Sequence, residues 1–168
     1  MNQGKRASSS VQGLARQFSK ATWCSSISVR IGNETVTLLL DTHVWLWAVE
    51  APEKLGRRAQ SLLLTVENDR LVSAISVLEI ARLCLDEKVI LSISPKKWIE
   101  DSARDLHLQQ VEVDFAIALE AYSLPDPFHR DPVDRVLVAT ARTLQATLLT
   151  ADERILAYKH ARTEDCRK

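Results

Sequence analysis

Short apolar runs alternate with amphipathic stretches from residue 36 onward. Val36–Leu40 is too short for a helix and ends in three leucines, which predicts a strand buried on both faces. Three more strands are predicted, at Arg70–Ser73, Gln110–Val113 and Thr147–Thr150. Apolar residues at helical spacing predict helices at Glu53–Val66, Ile75–Leu85, Pro95–Leu106, Asp114–Tyr122, Pro132–Leu144 and Ala151–Tyr158. Strands that alternate with helices predict an α/β fold with a parallel sheet.

The first 35 residues differ from the rest in composition. They contain seven serines, five basic residues and one acid, Glu34, without a firm hydrophobic period. We expect residues 1–35 to be an extension that is disordered or not native, residues 36–163 to form one domain, and residues 164–168 to be a tail. No apolar run is long enough for a transmembrane helix, so we expect a cytoplasmic protein without a membrane partner.

Charge restricts the ways in which this domain can bind nucleic acid. Residues 36–168 contain 17 basic and 21 acidic residues, a net charge of −4. A protein that binds phosphates by neutralising them is expected to be basic, so a phosphodiester substrate would require cations that screen the acids. The three cysteines, Cys24, Cys84 and Cys166, are far apart, which argues against a disulfide framework or a zinc site.

Four acids follow predicted strands or occupy the first turns of helices. They are Asp41, Glu79, Asp134 and Asp152. Because right-handed crossovers return parallel strands to one edge of the sheet, these side chains are able to converge there. Carboxylates that meet without cations repel each other, and some of their pKa values rise. A divalent ion with oxygen ligands, Mg²⁺ or Mn²⁺, is the usual resolution.

Each acid also has a purely structural interpretation. Asp131–Asp134 is a good helix start, with Asp131 as N-cap and a proline after it, and Asp41 and Asp152 are able to cap helices in the same way. Glu79 is harder to explain, because a carboxylate on a mostly apolar helix must be exposed or partnered. Asp131 competes with Asp134 as a ligand; we prefer Asp134, whose helical spacing aligns it with Val138.

Four sequence blocks contain these acids: Leu38–Trp47, Ser76–Ala81, His129–Arg135 and Leu148–Asp152. In this order the blocks resemble those of PIN-domain proteins, and the branch they resemble is the VapC-type toxins of bacterial toxin–antitoxin pairs. The resemblance covers about residues 36–163. Each block alone is weak, but four in order at compatible spacing are a strong signal. The resemblance implies a three-layer α/β/α sandwich with a mostly parallel sheet of about five strands.

The resemblance also implies a Mg²⁺- or Mn²⁺-dependent ribonuclease, with Asp41, Glu79, Asp134 and Asp152 as its catalytic and metal-binding acids. One metal or two are compatible with this set. The pocket is expected to include Ser76 and Thr150, which match polar positions of the family, and Thr42 and Arg135. The implied partners are an RNA substrate, a cognate antitoxin and a second copy of the chain. The polar end of the chain, after Tyr158, departs from the family's usual final strand.

Two other functions remain open at this point. A haloacid-type phosphatase also places an aspartate after its first strand, but it requires a second acid two residues later, where this chain has His43. It also requires a lysine near the third block, and none lies between Lys97 and Lys159. The second alternative is a PIN-like binding module without catalysis, although all four acids are present.

Overall fold

The computed structural model describes residues 35–168, so the extension predicted for residues 1–35 lies outside the described residues except for Thr35. Five strands were found in this part of the chain: β1 (Thr37–Leu40), β2 (Asp69–Ser73), β3 (Gln109–Val111), β4 (Thr147–Thr150) and β5 (Thr163–Asp165). The described helices are α1 (Thr42–Glu50), α2 (Arg57–Leu64), α3 (Ala74–Leu85), α4 (Pro95–Asp105), α5 (Phe115–Ser123), α6 (Pro132–Thr143) and α7 (Glu153–Leu156), with a 3₁₀ turn at Pro52–Lys54.

The strands form one sheet in the order β3-β2-β1-β4-β5, and every neighbouring pair is parallel. The strand β1 lies at the centre, with Leu39 opposite Leu71 on one side and Leu148 on the other. The predicted α/β fold with a parallel sheet of about five strands is therefore confirmed. Because all strands run the same way, residues that follow them share one edge of the sheet.

Both faces of the sheet are covered, which gives three layers. Alternate residues of β1 point to opposite faces: Leu38 and Leu40 pack with α1 to α4, whereas Leu39 packs with α6 and α7. Leu38, Leu39 and Leu40 are fully buried. This double burial is the reason that β1 is a continuous apolar run rather than an alternating one.

Two elements differ from the predictions. The stretch after Asp41 forms α1, because Asp41 caps it and Val44, Trp45 and Ala48 bury one face of it. The predicted tail 164–168 contains the end of β5, which pairs with β4 despite its polar sequence. Folding therefore continues past residue 163.

The end of the chain packs tightly against the start of α2. The Gly56 N–H donates to the Cys166 carbonyl at 2.8 Å, and a Cβ at Gly56 would collide with the backbone of Lys168. Glycine is the residue that permits this approach. No helix among residues 35–168 is long and apolar enough to cross a membrane.

Candidate active site

Asp41 is fixed at the edge of the sheet by the neighbouring strand. It follows β1 directly, and its Oδ2 accepts a hydrogen bond from Thr150 Oγ1 at 2.5 Å, at the end of β4. Its Oδ1 accepts from the His43 N–H at 3.4 Å and so caps α1. Asp41 is only 5% exposed. A carboxylate this deeply buried must be partnered, and both of its oxygens are.

Asp152 is tied to the same strand end. Its N–H donates to Thr150 Oγ1 at 3.0 Å, so one threonine orders two acids. Its Oδ1 accepts from the N–H groups of Arg154 and Ile155 at 2.8 and 3.2 Å, which starts α7. Burial acts to raise the pKa of Asp152, but these bonds and the Arg154 guanidinium outweigh it and leave the pKa below its usual value.

Asp134 is the carboxyl group most perturbed by its surroundings. It lies half-buried in the first turn of α6. Its pKa is raised to about 7, first by burial and then by the charges of Asp131, Asp152 and Asp41, against the weaker effect of Arg154. These contributions require that the acids lie near one another. Asp134 is therefore partly protonated at neutral pH, as expected for a carboxyl group in a crowded anionic site.

Asp131, the competing ligand, has a different role. It is exposed, and its Oδ1 accepts from the N–H groups of Val133 and Asp134 at 3.0 and 3.4 Å, the pattern of an N-cap. This geometry supports the preference for Asp134 over Asp131 as the functional acid, which stays a prediction.

Glu79 lies half-buried on α3, and its charge reaches the same site. Together with Asp134 and, most strongly, Asp41, it raises the pKa of His43, against the opposing effect of burial. His43 Nδ1 lies 3.9 Å from Asp41 Oδ1. Carboxylates from α3, α6 and the β1 end therefore all act on one imidazole, which places the first three predicted acids on the same side of the sheet edge.

Two predicted pocket residues carry buried hydroxyl groups. Ser76 and Thr42 are fully buried, and neither hydroxyl oxygen has a hydrogen-bond partner within residues 35–168. An unpaired buried hydroxyl is unfavourable and indicates a missing partner. Ser76 lies three residues before Glu79 on the same face of α3, so its oxygen is a candidate contact for a ligand of the acids.

Arg135 is held by the protein's own backbone, and its assignment to the pocket stays a prediction. Its side chain is buried and donates to three backbone carbonyls, at 2.7 Å to Ala121, 2.9 Å to His129 and 3.4 Å to Phe128. The guanidinium also lies 5.3 Å from the ring of Tyr122. Arg135 therefore ties α5 and the loop before α6 together through its Nε and Nη1 groups.

Two functional candidates were missed by the sequence analysis. Arg154 Nη2 lies 3.3 Å from Asp152 Oδ2 and 3.9 Å from Asp134 Oδ2, so it is the cation that bridges the acids. His129 Nε2 lies 3.3 Å from Asp134 Oδ2 without hydrogen-bond geometry, and burial followed by Arg154 lowers its pKa. Arg154 could have been found from the sequence, because it lies two residues after Asp152, a predicted ligand. The position of His129 depends on the fold of its loop, which local sequence does not indicate.

The donor set is compatible with a divalent cation. Oxygen ligands suit Mg²⁺ or Mn²⁺, burial and then repulsion by neighbouring acids raise the pKa of Asp134, and the Ser76 hydroxyl has no hydrogen-bond partner within residues 35–168. Within residues 35–168, no three Asp, Glu, His or Cys side chains converge closely enough to form a ready-made metal cage. The acids are thus gathered at one edge of the sheet but not closed around a common point.

A parallel α/β sheet with acids grouped beyond the ends of its strands defines a class of α/β proteins whose chemistry lies at that edge. Residues 38–161 match the PIN domain, and the chain belongs to the PIN-domain family. This membership decides against the haloacid-type phosphatase.

Similar proteins agree with this assignment. Ribonuclease VapC22 of Mycobacterium tuberculosis is 34% identical over 126 residues, which cover 75% of this chain and 95% of that protein. FitAcB from Neisseria gonorrhoeae superposes with a TM-score of 0.55 at 20% identity, covering 76% of this chain and 96% of the other. VapBC2 from Rickettsia felis, bound to a DNA fragment from its promoter, gives 0.54 at 16% identity, with coverage of 77% and 98%. At these identities the two structures support the fold alone.

Proposed function

We propose that this chain is a divalent-metal-dependent endoribonuclease that hydrolyses RNA phosphodiester bonds as the toxin of a toxin–antitoxin pair. The observation that carries the proposal is the crowding of acids around Asp134, whose pKa of about 7 reflects burial among three other carboxylates. Carboxyl groups with strongly perturbed pKa values are typical of functional sites, and cation binding is the function that fits this group of acids. A relative 34% identical that is named a ribonuclease supports the substrate class.

Each acid has a role in this proposal. Asp41, Glu79 and Asp134 hold one cation, directly or through water, and Asp152, with Asp41, holds a second or orients water. When bound, such a cation supplies activated water and stabilises the charge that develops on the phosphate. Thr150 keeps Asp41 in place through its 2.5 Å hydrogen bond. The Ser76 hydroxyl, buried and unpaired by protein, offers a further oxygen beside Glu79.

The partners follow from the same assignment. Structural neighbours include a toxin–antitoxin complex from Klebsiella pneumoniae, with a TM-score of 0.53 at 14% identity. We infer that this chain is inhibited by a cognate antitoxin encoded beside it, forms a homodimer and acts in the cytoplasm. A small DNA-binding protein encoded next to this gene that copurifies with the chain and blocks RNA cleavage is the expected finding.

The ribonuclease proposal is tested with purified protein and single-stranded RNA, with Mg²⁺, with Mn²⁺ and with EDTA. Cleavage is expected with either metal and not with EDTA, and Asp41→Asn should reduce the rate by at least about 100-fold. Asp69→Asn is the matched control, because Asp69 is an exposed acid at the start of β2, on the other edge of the sheet. Wild-type cleavage by Asp41→Asn, or cleavage in EDTA, contradicts the mechanism.

A catalytically inactive protein is separated from a wrong substrate by a binding measurement. Calorimetric titration with Mn²⁺ should detect binding to the wild type and to Asp69→Asn, and strongly weakened binding to Asp41→Asn. Mn²⁺ binding without cleavage of any of a broad set of RNAs would favour the binding-module alternative. Absence of Mn²⁺ binding would contradict the metal site itself.

A further inference from the structure

Three side chains lead away from the candidate site along α1 and into the turn that follows. His43 Nδ1 lies 3.9 Å from Asp41, and the His43 ring lies edge-on to Trp47, with 6.3 Å between ring centroids. Lys54 Nζ lies 5.6 Å from the centre of the Trp47 ring. We call His43, Trp47 and Lys54 the aromatic strip. It is a continuous row of a hydrogen-bonding ring, an indole face and a cation that starts at a predicted catalytic acid.

Trp47 differs from the two other tryptophans among residues 35–168. Trp45 and Trp98 are 0% and 1% exposed, and their indole N–H groups donate to Ser102 and Glu50 at 3.1 and 2.6 Å. Trp47 is only partly buried against the core. Packing explains the first two tryptophans, but it does not require the exposed part of the third.

The backbone that follows the strip is hydrogen-bonded back to the end of β4. At the far end, Gly56, two residues after Lys54, donates to the Cys166 carbonyl at 2.8 Å, and the Cys166 N–H donates to the Thr150 carbonyl at 2.9 Å. Thr150 is the residue that holds Asp41. The strip therefore starts at Asp41, and the chain that follows it is tied to the strand end that holds Asp41.

The net charge of the domain favours a base-stacking role for the aromatic strip. With a net charge of −4 over residues 36–168, the domain does not attract a nucleic acid by its overall field. Stacking of bases on aromatic rings does not depend on net charge, since every base has a π face, and single-stranded RNA is recognised in this way. The Lys54 ammonium, which lies over the Trp47 ring, provides a local contact for the adjacent phosphate when a base takes its place on the ring.

We propose that the aromatic strip binds the nucleotide next to the scissile phosphate of single-stranded RNA. The base stacks on Trp47, the phosphate pairs with Lys54, and His43 lies between this nucleotide and the acids. The inference rests on the proposed ribonuclease activity and adds the subsite that positions its substrate. The acids would perform the hydrolysis, and the strip would set affinity and the preference for unpaired RNA.

Steady-state kinetics on a short single-stranded RNA test the strip. Trp47→Leu keeps an apolar side chain against the core but removes the ring, and it should raise KM roughly tenfold while kcat stays within about twofold. Lys54→Gln should raise KM less, and its effect should shrink as salt increases. Lys159→Gln is the matched control, because Lys159 is exposed in the connection that leads to the start of β5. An unchanged KM in both strip variants overturns the proposal.

A binding experiment separates stacking from phosphate contact. In an Asp41→Asn background, which prevents cleavage, single-stranded RNA should quench part of the tryptophan fluorescence, and Trp47→Leu should abolish that part. RNA of the same length that lacks bases should bind more weakly and leave the fluorescence unchanged. Equal quenching by RNA with and without bases overturns the stacking assignment. Circular dichroism shows whether each variant is folded. If Trp47→Leu does not fold, Lys54→Gln provides the test.

Failure of the strip differs from failure of the ribonuclease proposal. If the wild type cleaves RNA with Mg²⁺ and the strip variants share its KM, the strip alone is wrong and Trp47 is a packing residue. If the wild type neither cleaves nor binds RNA, the proposed function fails and the strip fails with it. Loss of antitoxin binding in the strip variants with unchanged RNA kinetics would assign the strip to the partner protein, against this proposal.

Discussion

Acidic residues at the two edges of the central sheet have opposite environments. Asp41, just after β1, is 5% exposed and bonded to Thr150 at 2.5 Å. Asp69, at the start of the neighbouring strand β2, is exposed and accepts one ordinary hydrogen bond from Gln109 at 3.3 Å. Asp134, which lies at the same edge as Asp41, has a pKa raised to about 7, first by burial and then by neighbouring acids. The same residue type is solvated at one edge and crowded at the other.

This difference shows which acids make the native state less stable. Solvated acids such as Asp69 contribute little to stability in either direction. Acids that are partly buried near like charges disfavour the ionised native state, and a protein of marginal stability retains few such sites without function. We therefore infer that the edge at which strands end is the functional one, and variants of its acids should behave unlike variants of the opposite edge.

The largest expected effect separates the two acids at the start of α6. Asp134→Asn should lower the rate of RNA cleavage by about 100-fold or more, because it removes a carboxylate from the proposed cation site. Asp131→Asn should change the rate by less than about threefold, since asparagine caps a helix nearly as well as aspartate. Rates measured with saturating Mg²⁺ decide between them. The reverse order of effects would make Asp131 the ligand and Asp134 a structural residue.

The second prediction concerns metal-dependent stability. Mn²⁺ at about 100 times its dissociation constant should raise the free energy of unfolding by about 2.7 kcal/mol, because a ligand that binds only the native state stabilises it. Asp41→Asn and Asp134→Asn should lose most of this gain, and Asp69→Asn should keep it. Urea denaturation with Mn²⁺ and with EDTA measures the difference. Equal stabilisation of all variants would indicate that Mn²⁺ binds elsewhere.

The third prediction uses the raised pKa of Asp134. Between its usual value near 3.8 and about 7, the folded state binds more protons than the unfolded state, so this group contributes stability at low pH that is lost as pH rises toward 7. At pH 8 in EDTA, Asp134→Asn should therefore be more stable than the wild type, by about 1–3 kcal/mol. Near pH 4 the two should be similar. Urea denaturation across this range measures the trend, and Asp69→Asn should follow the wild type throughout.

Sequence periodicity was sufficient to predict most of the fold. The strands β1 and β4 are continuous apolar runs because both faces are covered, and such runs are recognisable locally. The strand β5 was missed because Thr163–Asp165 is polar and is held by pairing to β4, which is a tertiary effect. The helix α1 was missed because its apolar residues occupy most of its circumference and leave little periodic signal.

The candidate site likewise has features that could be predicted from the sequence and features that could not. That Asp41 and Asp152 come together follows from parallel topology, and so it was predictable. The Arg135 guanidinium donates to three backbone carbonyls. This arrangement depends on the path of the loop before α6, which local sequence does not encode. The placement of His129 beside Asp134 has the same origin. Backbone topology was thus predictable, and side-chain partners set by loops were not.

The smallest expected effect concerns the cation that this edge already holds. Arg154 is largely exposed, and its guanidinium lies 3.3 and 3.9 Å from Asp152 and Asp134. Since a positive charge beside the acids repels a second cation and competes for their oxygens, Arg154→Gln should bind Mn²⁺ more tightly, by about two- to fivefold at low salt. Calorimetric titration measures this affinity.

Arg104→Gln is the matched control for Arg154→Gln, because Arg104 is also exposed and lies 2.9 Å from Asp101 on α4, away from the site. Its Mn²⁺ affinity should equal that of the wild type, and the gain from Arg154→Gln should shrink at high salt, where exposed charges are screened. Weaker Mn²⁺ binding by Arg154→Gln would mean that the guanidinium holds Asp134 and Asp152 in position for the metal. The contrast between the two edges would then rest on Arg154 as an organiser of the acids and not as their competitor.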